Sequence, residues 1–260
     1  MQIAVLVKQV PDDLAGARLT AAGVLDRAAG PATTDPVDRN ALEAAVALAE
    51  AAGDSTVTVV AMGPASAKAV LKECVSVGAT AGVHVSDEGL AGSDALATAR
   101  VLAAAVHRLG PVDLVLAGAR SFDGATAAVP AMVAELLDLP QVTTVTAIEA
   151  EPGALVCTQV LEDGHARVRL PLPGVVSVDE YVNTPRYPSV RSKLAANKAV
   201  FEVLTAADLG VTEVGPDAAR AVVVATAEPP AREPGQRIQG TDARDTAEKL
   251  VAALAGAGAL

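Results

Sequence analysis

The chain has 260 residues, 51% of them hydrophobic but only 2% aromatic, with 20 basic and 31 acidic residues and a formal net charge of −11. That apolar content suffices for a full core, and without Trp the core must be built from Ala, Val and Leu, which suits tightly packed helix-on-sheet layers. The acidic balance argues against nucleic acid as a partner, and no apolar run approaches the roughly 20 residues of a membrane span.

In chain order, residues 3–7 form a continuous apolar run, as a buried parallel strand requires. The opening MQIAVLVKQV is too short an apolar stretch for a signal peptide, so the protein is expected in the cytoplasm. Residues 18–25, with Gly23 in the middle, suggest a small hairpin. Pro36 to Ala52 reads as a helix with one apolar face (Ala41, Leu42, Ala45, Val46, Leu48, Ala49) and Gly53 as its stop. Thr56 to Met62 is a β-branched strand, and Gly63-Pro64 opens a second helix. Residues 82–85 form a short strand, and Ser93 or Asp94 caps a helix over residues 95–109. Residues 114–117 then run apolar into Gly118, a small polar turn covers residues 119–126, and a helical pattern continues to Leu137 before Pro140. This alternation predicts an α/β fold: a mostly parallel twisted sheet with helices on both faces, of the Rossmann-like nucleotide-binding type.

From about Val145 the pattern changes. Residues 155–161 and 166–170 alternate and are joined by Glu162-Asp163-Gly164, a hairpin turn. Residues 175–178 form a further strand. The segment NTPRYPSVRSKLAANK, residues 183–198, carries Arg186, Arg191, Lys193 and Lys198 and no acid. Residues 222–226 read as a last strand and residues 228–240 as a Pro- and Gly-rich linker. Thr241 or Asp242 caps a final helix over residues 243–254. The expected division is an α/β domain over residues 1–227 and a linker with a C-terminal helical arm over residues 228–260.

Most catalytic signatures are absent. There is no GxxxxGK[ST], no complete GxGxxG and no GxSxG. His84, His107 and His165 sit in separate elements and read as surface or internally satisfied histidines. Cys74 and Cys157 form neither a CxxC pair nor a metal spacing, and no metal site is expected. What stands out is the strand–turn–helix passage DLVLAGARSFDGAT at residues 113–126. A helix entered through such a turn presents free backbone N–H groups and a partial positive charge, which suit a phosphate.

These elements, in this order, resemble the β subunit of electron-transfer flavoproteins over essentially the whole chain. VLVKQVPD (5–12) resembles the family's first strand and turn, and DPVDRNALEAAVALAE (35–50) its NPxD-then-helix segment. MGPASAKAVLKECVSVGAT (62–80) is similar to its GP-initiated helix, and residues 113–143 are similar to its nucleotide loop. The EDG turn followed by LPGVVSV falls at the family signature. NTPRYPSV resembles the NEPRYPSL docking loop, and EKLVAAL (248–254) the C-terminal helix.

The resemblance implies a heterodimer with an α subunit that holds a redox-active FAD, and AMP, or a second FAD in bifurcating members, bound in β. It also implies a shuttle of electrons from flavin dehydrogenases to a downstream acceptor; a stand-alone AMP- or ATP-binding module is the alternative. The implied nucleotide pocket comprises Leu6, Asp35, Pro36, Val37, Asp38, Met62, Asp123, Gly124, Ala125, Thr126, Ala127, Ala128 and Val129. The implied docking residues are Arg186, Tyr187, Pro188, Ser189, Val190 and Arg191. Two readings stand open for several of them. Asp35 and Asp38 are helix caps or ligand contacts, Met62 is core or contact, and Arg186 and Arg191 are a solvated face or partner contacts.

The sequence departs from the family in places. Asp35 replaces the usual Asn. Ala125, Ala127 and Ala128 stand where Asp or Asn and then Gln are common. Gln159 and Ala166 replace Arg and Glu, and the lysine-rich stretch after the docking loop thins to Lys193, Asn197 and Lys198. Weaker or altered nucleotide affinity and an unusual redox partner are the expected consequences.

Overall fold

The computed structural model describes residues 1–14, 17–20, 23–227, 230 and 234–260. They form two compact units, Met1–Val223 and Val224–Leu260.

The first unit contains a nine-stranded sheet. Its strands are β1 (Gln2–Val7), β4 (Thr56–Met62), β5 (Ala81–Val85), β6 (Leu114–Gly118), β7 (Gln141–Glu151), β8 (Ala154–Leu161), β9 (Gly164–Pro171), β10 (Gly174–Val178) and β11 (Glu202–Leu204). A separate antiparallel ribbon pairs β2 (Gln9–Pro11) with β3 (Ala32–Thr34). The order across the large sheet is β11-β5-β4-β1-β6-β10-β7-β8-β9. All neighbours from β11 to β7 are parallel, and the β7-β8-β9 meander is antiparallel.

The helices are α1 (Pro36–Ala52), α2 (Lys68–Val77), α3 (Ala95–Arg108), α4 (Val129–Leu136), α5 (Val190–Ala196), α6 (Gly215–Ala218) and, in the second unit, α7 (Ala243–Gly256). The path β1-α1-β4-α2-β5 moves steadily towards one edge, and α1 and α2 pack on one face with Ile3, Val5 and Val7. The chain then crosses back from β5 to β6. Right-handed crossovers require a reversal of direction to change face, and α3 and α4 lie on the other side with Ala4 and Leu6. Strand β1 is therefore buried on both faces, as its unbroken apolar run demands. The reversal occurs between β1 and β6, where the carboxyl ends of the strands open towards the loops that bind ligands in such sheets.

Two expectations are corrected. Residues 222–226 form no strand, and Val222 and Val224 are exposed. The sheet edge beside β5 is taken instead by β11, three residues long, so the β-branched run has no partner. The basic segment is not loop throughout, because Ser189 caps α5 by accepting the amide of Ser192 at 3.0 Å. Within the small hairpin at residues 18–25, Leu19 and Leu25 form an antiparallel bridge, and Ala21 and Ala22 lie outside the described residues. Part of the linker, Glu228, Pro229 and residues 231–233, also lies outside them.

Candidate functional site

Register places the predicted nucleotide residues at one end of three adjacent strands. Leu6 lies opposite Val60 on β4 and Ala117 on β6. It is 5% exposed and points to the α3–α4 side, where half-buried Met62 also packs. Both side chains thus belong to the apolar core beneath the loop that joins β6 to α4.

The first turn of α1 meets that loop from the other face. Asp35, fully buried, caps α1 by accepting the Val37 amide at 3.0 Å, and its second oxygen accepts the Phe122 amide at 2.6 Å. One carboxylate therefore serves both as a cap and as a clasp on the loop. Asp38 accepts the Lys8 amide at 2.7 Å and the Gly118 amide at 3.0 Å, tying the ends of β1 and β6 to α1. The approach is close enough that a Cβ on Gly118 would sit 2.6 Å from Asp38 Oδ1. Burial and the neighbouring Asp35 push the Asp38 carboxyl up to about 8. Burial also raises Asp35, against the pull of the amides of Phe122, Val37 and Asp38.

Asp123 is held by Lys8 Nζ at 2.6 Å and by Arg27 at 3.0 Å. Burial works against its charge, but these cations and the Ser121 hydroxyl hold the Asp123 carboxyl below the usual range. The Gly124 amide turns inward to Asp123 Oδ1 at 2.7 Å, and the Ala125 amide to the Ser121 carbonyl at 2.9 Å. Ala125 and Ala127 have φ of 48° and 53°, a left-handed backbone that alanine rarely adopts and that costs roughly 1 kcal/mol each. Alternation of this kind turns successive N–H groups towards a common concavity. Among the described residues, the amides of Thr126, Ala127, Ala128 and Val129 donate to no protein acceptor. They precede or open α4, whose N-terminal end adds partial positive charge. A phosphate fits this arrangement through backbone donors alone, so the alanines remove side-chain partners without removing the cradle.

The basic segment lies elsewhere. Arg186 makes paired bonds to Glu43 at 2.8 and 3.0 Å and to Glu50 at 2.7 and 3.0 Å, and its own amide also donates to Glu43. It anchors residues 184–188 to α1. Tyr187 and Val190 are 94% and 78% exposed, and Leu194 projects nearby on α5. Arg191 has no partner among the described residues. A groove of about 670 Å³ runs between α1, α2 and this segment, and Pro188 lines it. Of the predicted nucleotide residues, only Pro36 does.

Lys8, Arg27, Glu43 and Glu50 were not anticipated from sequence. Lys8 had a visible signal, as the first polar residue after the apolar strand β1, at its carboxyl end. Arg27, Glu43 and Glu50 had none, since their partners lie 96, 143 and 136 residues away. The three histidines do not converge, and His84 is buried with its ring 3.2 Å from the Gly63 carbonyl. Cys74 and Cys157 are buried free thiols. Among the described residues there is no metal-binding cluster, and no helix is long and apolar enough to cross a membrane.

Residues 22–209 match the electron transfer flavoprotein domain. The chain is 36% identical to an electron transfer flavoprotein subunit beta from Mycobacterium tuberculosis, over 96% of this chain and 97% of the relative. It is also 36% identical to one from Thermoanaerobacterium thermosaccharolyticum, over 98% of both chains. It is 34% identical to the caffeyl-CoA reductase-Etf complex subunit CarD of Acetobacterium woodii, again over 98% of both. With the family's domain matched over most of its length and relatives aligned almost end to end, the chain belongs to the electron transfer flavoprotein family, on the side of its β subunits.

Proposed function

We propose that the chain pairs with an FAD-carrying α subunit, holds an AMP in the loop between β6 and α4, and presents residues 186–191 to flavin dehydrogenases. The observation that supports this best is the loop itself. Its amides at residues 126–129 are free while Asp35, Asp123, Lys8 and Arg27 fix its shape from behind. A backbone set in advance binds phosphate without the cost of ordering it.

Redox chemistry would reside in the FAD of the partner subunit. The residues of this chain bind, orient and dock. Backbone amides hold the phosphate, and the Arg186 bonds hold Tyr187 and Val190 outward. Those exposed side chains supply a small apolar anchor with basic Arg191 beside it, a pattern that favours encounter with an acidic partner surface. The buried free thiols accord with a reducing cytoplasm.

Co-expression with the α subunit, acid release and mass spectrometry test this reading. One FAD and one AMP per heterodimer is the expected result. Two flavins would replace AMP with a second FAD, as in a bifurcating form. Failure to associate with any α subunit would leave the stand-alone nucleotide-binding module as the better account.

A further inference from the structure

Two cations and one carboxylate meet at the loop between β6 and α4. Lys8 Nζ lies 2.6 Å from Asp123 and 3.2 Å from the Ser121 hydroxyl. Arg27 reaches the other Asp123 oxygen at 3.0 Å while donating to the Gln9 carbonyl at 2.9 Å. The Asp123 side chain is 6% exposed, whereas those of Lys8 and Arg27 are each 36% exposed. One buried carboxylate, on the same loop that carries the free amides of residues 126–129, thus grips two partly exposed cations. Asp35 and Asp38 add no exposed charge, since both are buried and each faces two backbone amides.

We infer that Lys8 and Arg27 are the cationic part of the nucleotide site, and that Asp123, by holding them, restricts it to ligands with about two negative charges. A nucleoside monophosphate meets that limit, and so does the pyrophosphate bridge of a dinucleotide. A nucleoside triphosphate does not. Two cations already shared with a carboxylate cannot balance its extra charges, and each extra charge also meets Asp123 itself. At a partly exposed site, one such like-charge contact reduces binding by roughly tenfold.

The inference rests on the nucleotide reading, and its test separates the two. The complex with its α subunit, depleted of nucleotide, is titrated calorimetrically with AMP and with ATP. Wild type should favour AMP by roughly tenfold or more. Asp123→Asn should raise ATP affinity by roughly tenfold and AMP affinity by less, narrowing the preference. Lys8→Met leaves Asp123 less compensated, so it should weaken ATP more than AMP and widen the preference, and Lys8→Arg should restore the wild-type ratio; this pair decides the matter if the Asp123 variant fails to fold. A purely structural triad would lower AMP and ATP binding together without changing their ratio, and that result overturns the inference alone. Wild type that binds neither nucleotide overturns the nucleotide reading and this inference with it.

Discussion

The loop between β6 and α4, proposed to hold a nucleotide, and the segment at residues 186–191, proposed to dock partners, are built by opposite means. Each is fixed to α1 by carboxylates, Asp35 for the loop and Glu43 and Glu50 for the segment. In the loop the carboxylates are buried and grip backbone amides, leaving other amides free to meet a ligand. In the segment a half-buried Glu43 and an exposed Glu50 grip one guanidinium, leaving the side chains of Tyr187 and Val190 exposed. Burial makes the first anchorage sensitive to volume and to pH, while exposure makes the second cheap to break in stability but not in orientation.

The largest effect expected from this contrast is at Gly118. The Cβ of Gly118→Ala would lie 2.6 Å from Asp38 Oδ1 and 3.1 Å from the Asp38 amide nitrogen. The N-terminus of α1 must then recede, at about 3 kcal/mol, measurable by chemical denaturation. A loss under about 1 kcal/mol would show that α1 adjusts freely and that the loop is not rigidly held.

A smaller effect follows from Asp38. Its folded-state carboxyl is raised from 3.8 to about 8, so the folded protein keeps a proton that the unfolded chain releases within that window. Its contribution is present in full below about pH 4 and is lost as pH rises towards 8. Asp35, raised as well, acts in the same sense, whereas lowered Asp123 acts only at more acid pH. Asp38→Asn should therefore flatten the fall in stability between pH 5 and 8 by roughly 2 kcal/mol or more, although it weakens one amide bond. An unchanged slope in melting temperature against pH would place the titration elsewhere.

The smallest effect on stability is expected at Arg186. Its partners are partly exposed, so Arg186→Gln should cost about 1 kcal/mol or less. Binding to partner dehydrogenases should nevertheless weaken, because residues 187–190 lose their fixed orientation. Val190→Ser should weaken it without any change in melting temperature. Equal dehydrogenase affinity for all three proteins would remove this segment from the docking surface.

Much of this was legible in the chain order. The apolar run at β1, the Pro-opened helix α1 and the Gly118 turn each carry local signals that need no tertiary partner. The ordered motifs point to the family by themselves. Other features are invisible locally. Alanine has no preference for positive φ, so the shape of the backbone at Ala125 and Ala127 cannot be read from residue type. The cluster of cations at residues 183–198 reads as free charge until α1 brings two glutamates beneath Arg186. Strand β11 is too short to show a period of two.

Sequence alone thus determined the helix-on-sheet layers, the mostly parallel sheet and the strand–turn–helix passage at residues 113–126, because hydrophobic periodicity and turn chemistry act over a few residues. Only the tertiary structure decided that Asp35 is both cap and clasp, that Lys8 and Arg27 share Asp123, and that Arg186 faces inward. Those assignments depend on groups 87 to 143 residues apart meeting at hydrogen-bond distance. Charge and hydrogen-bonding partners at such separations are set by packing, which no local pattern records.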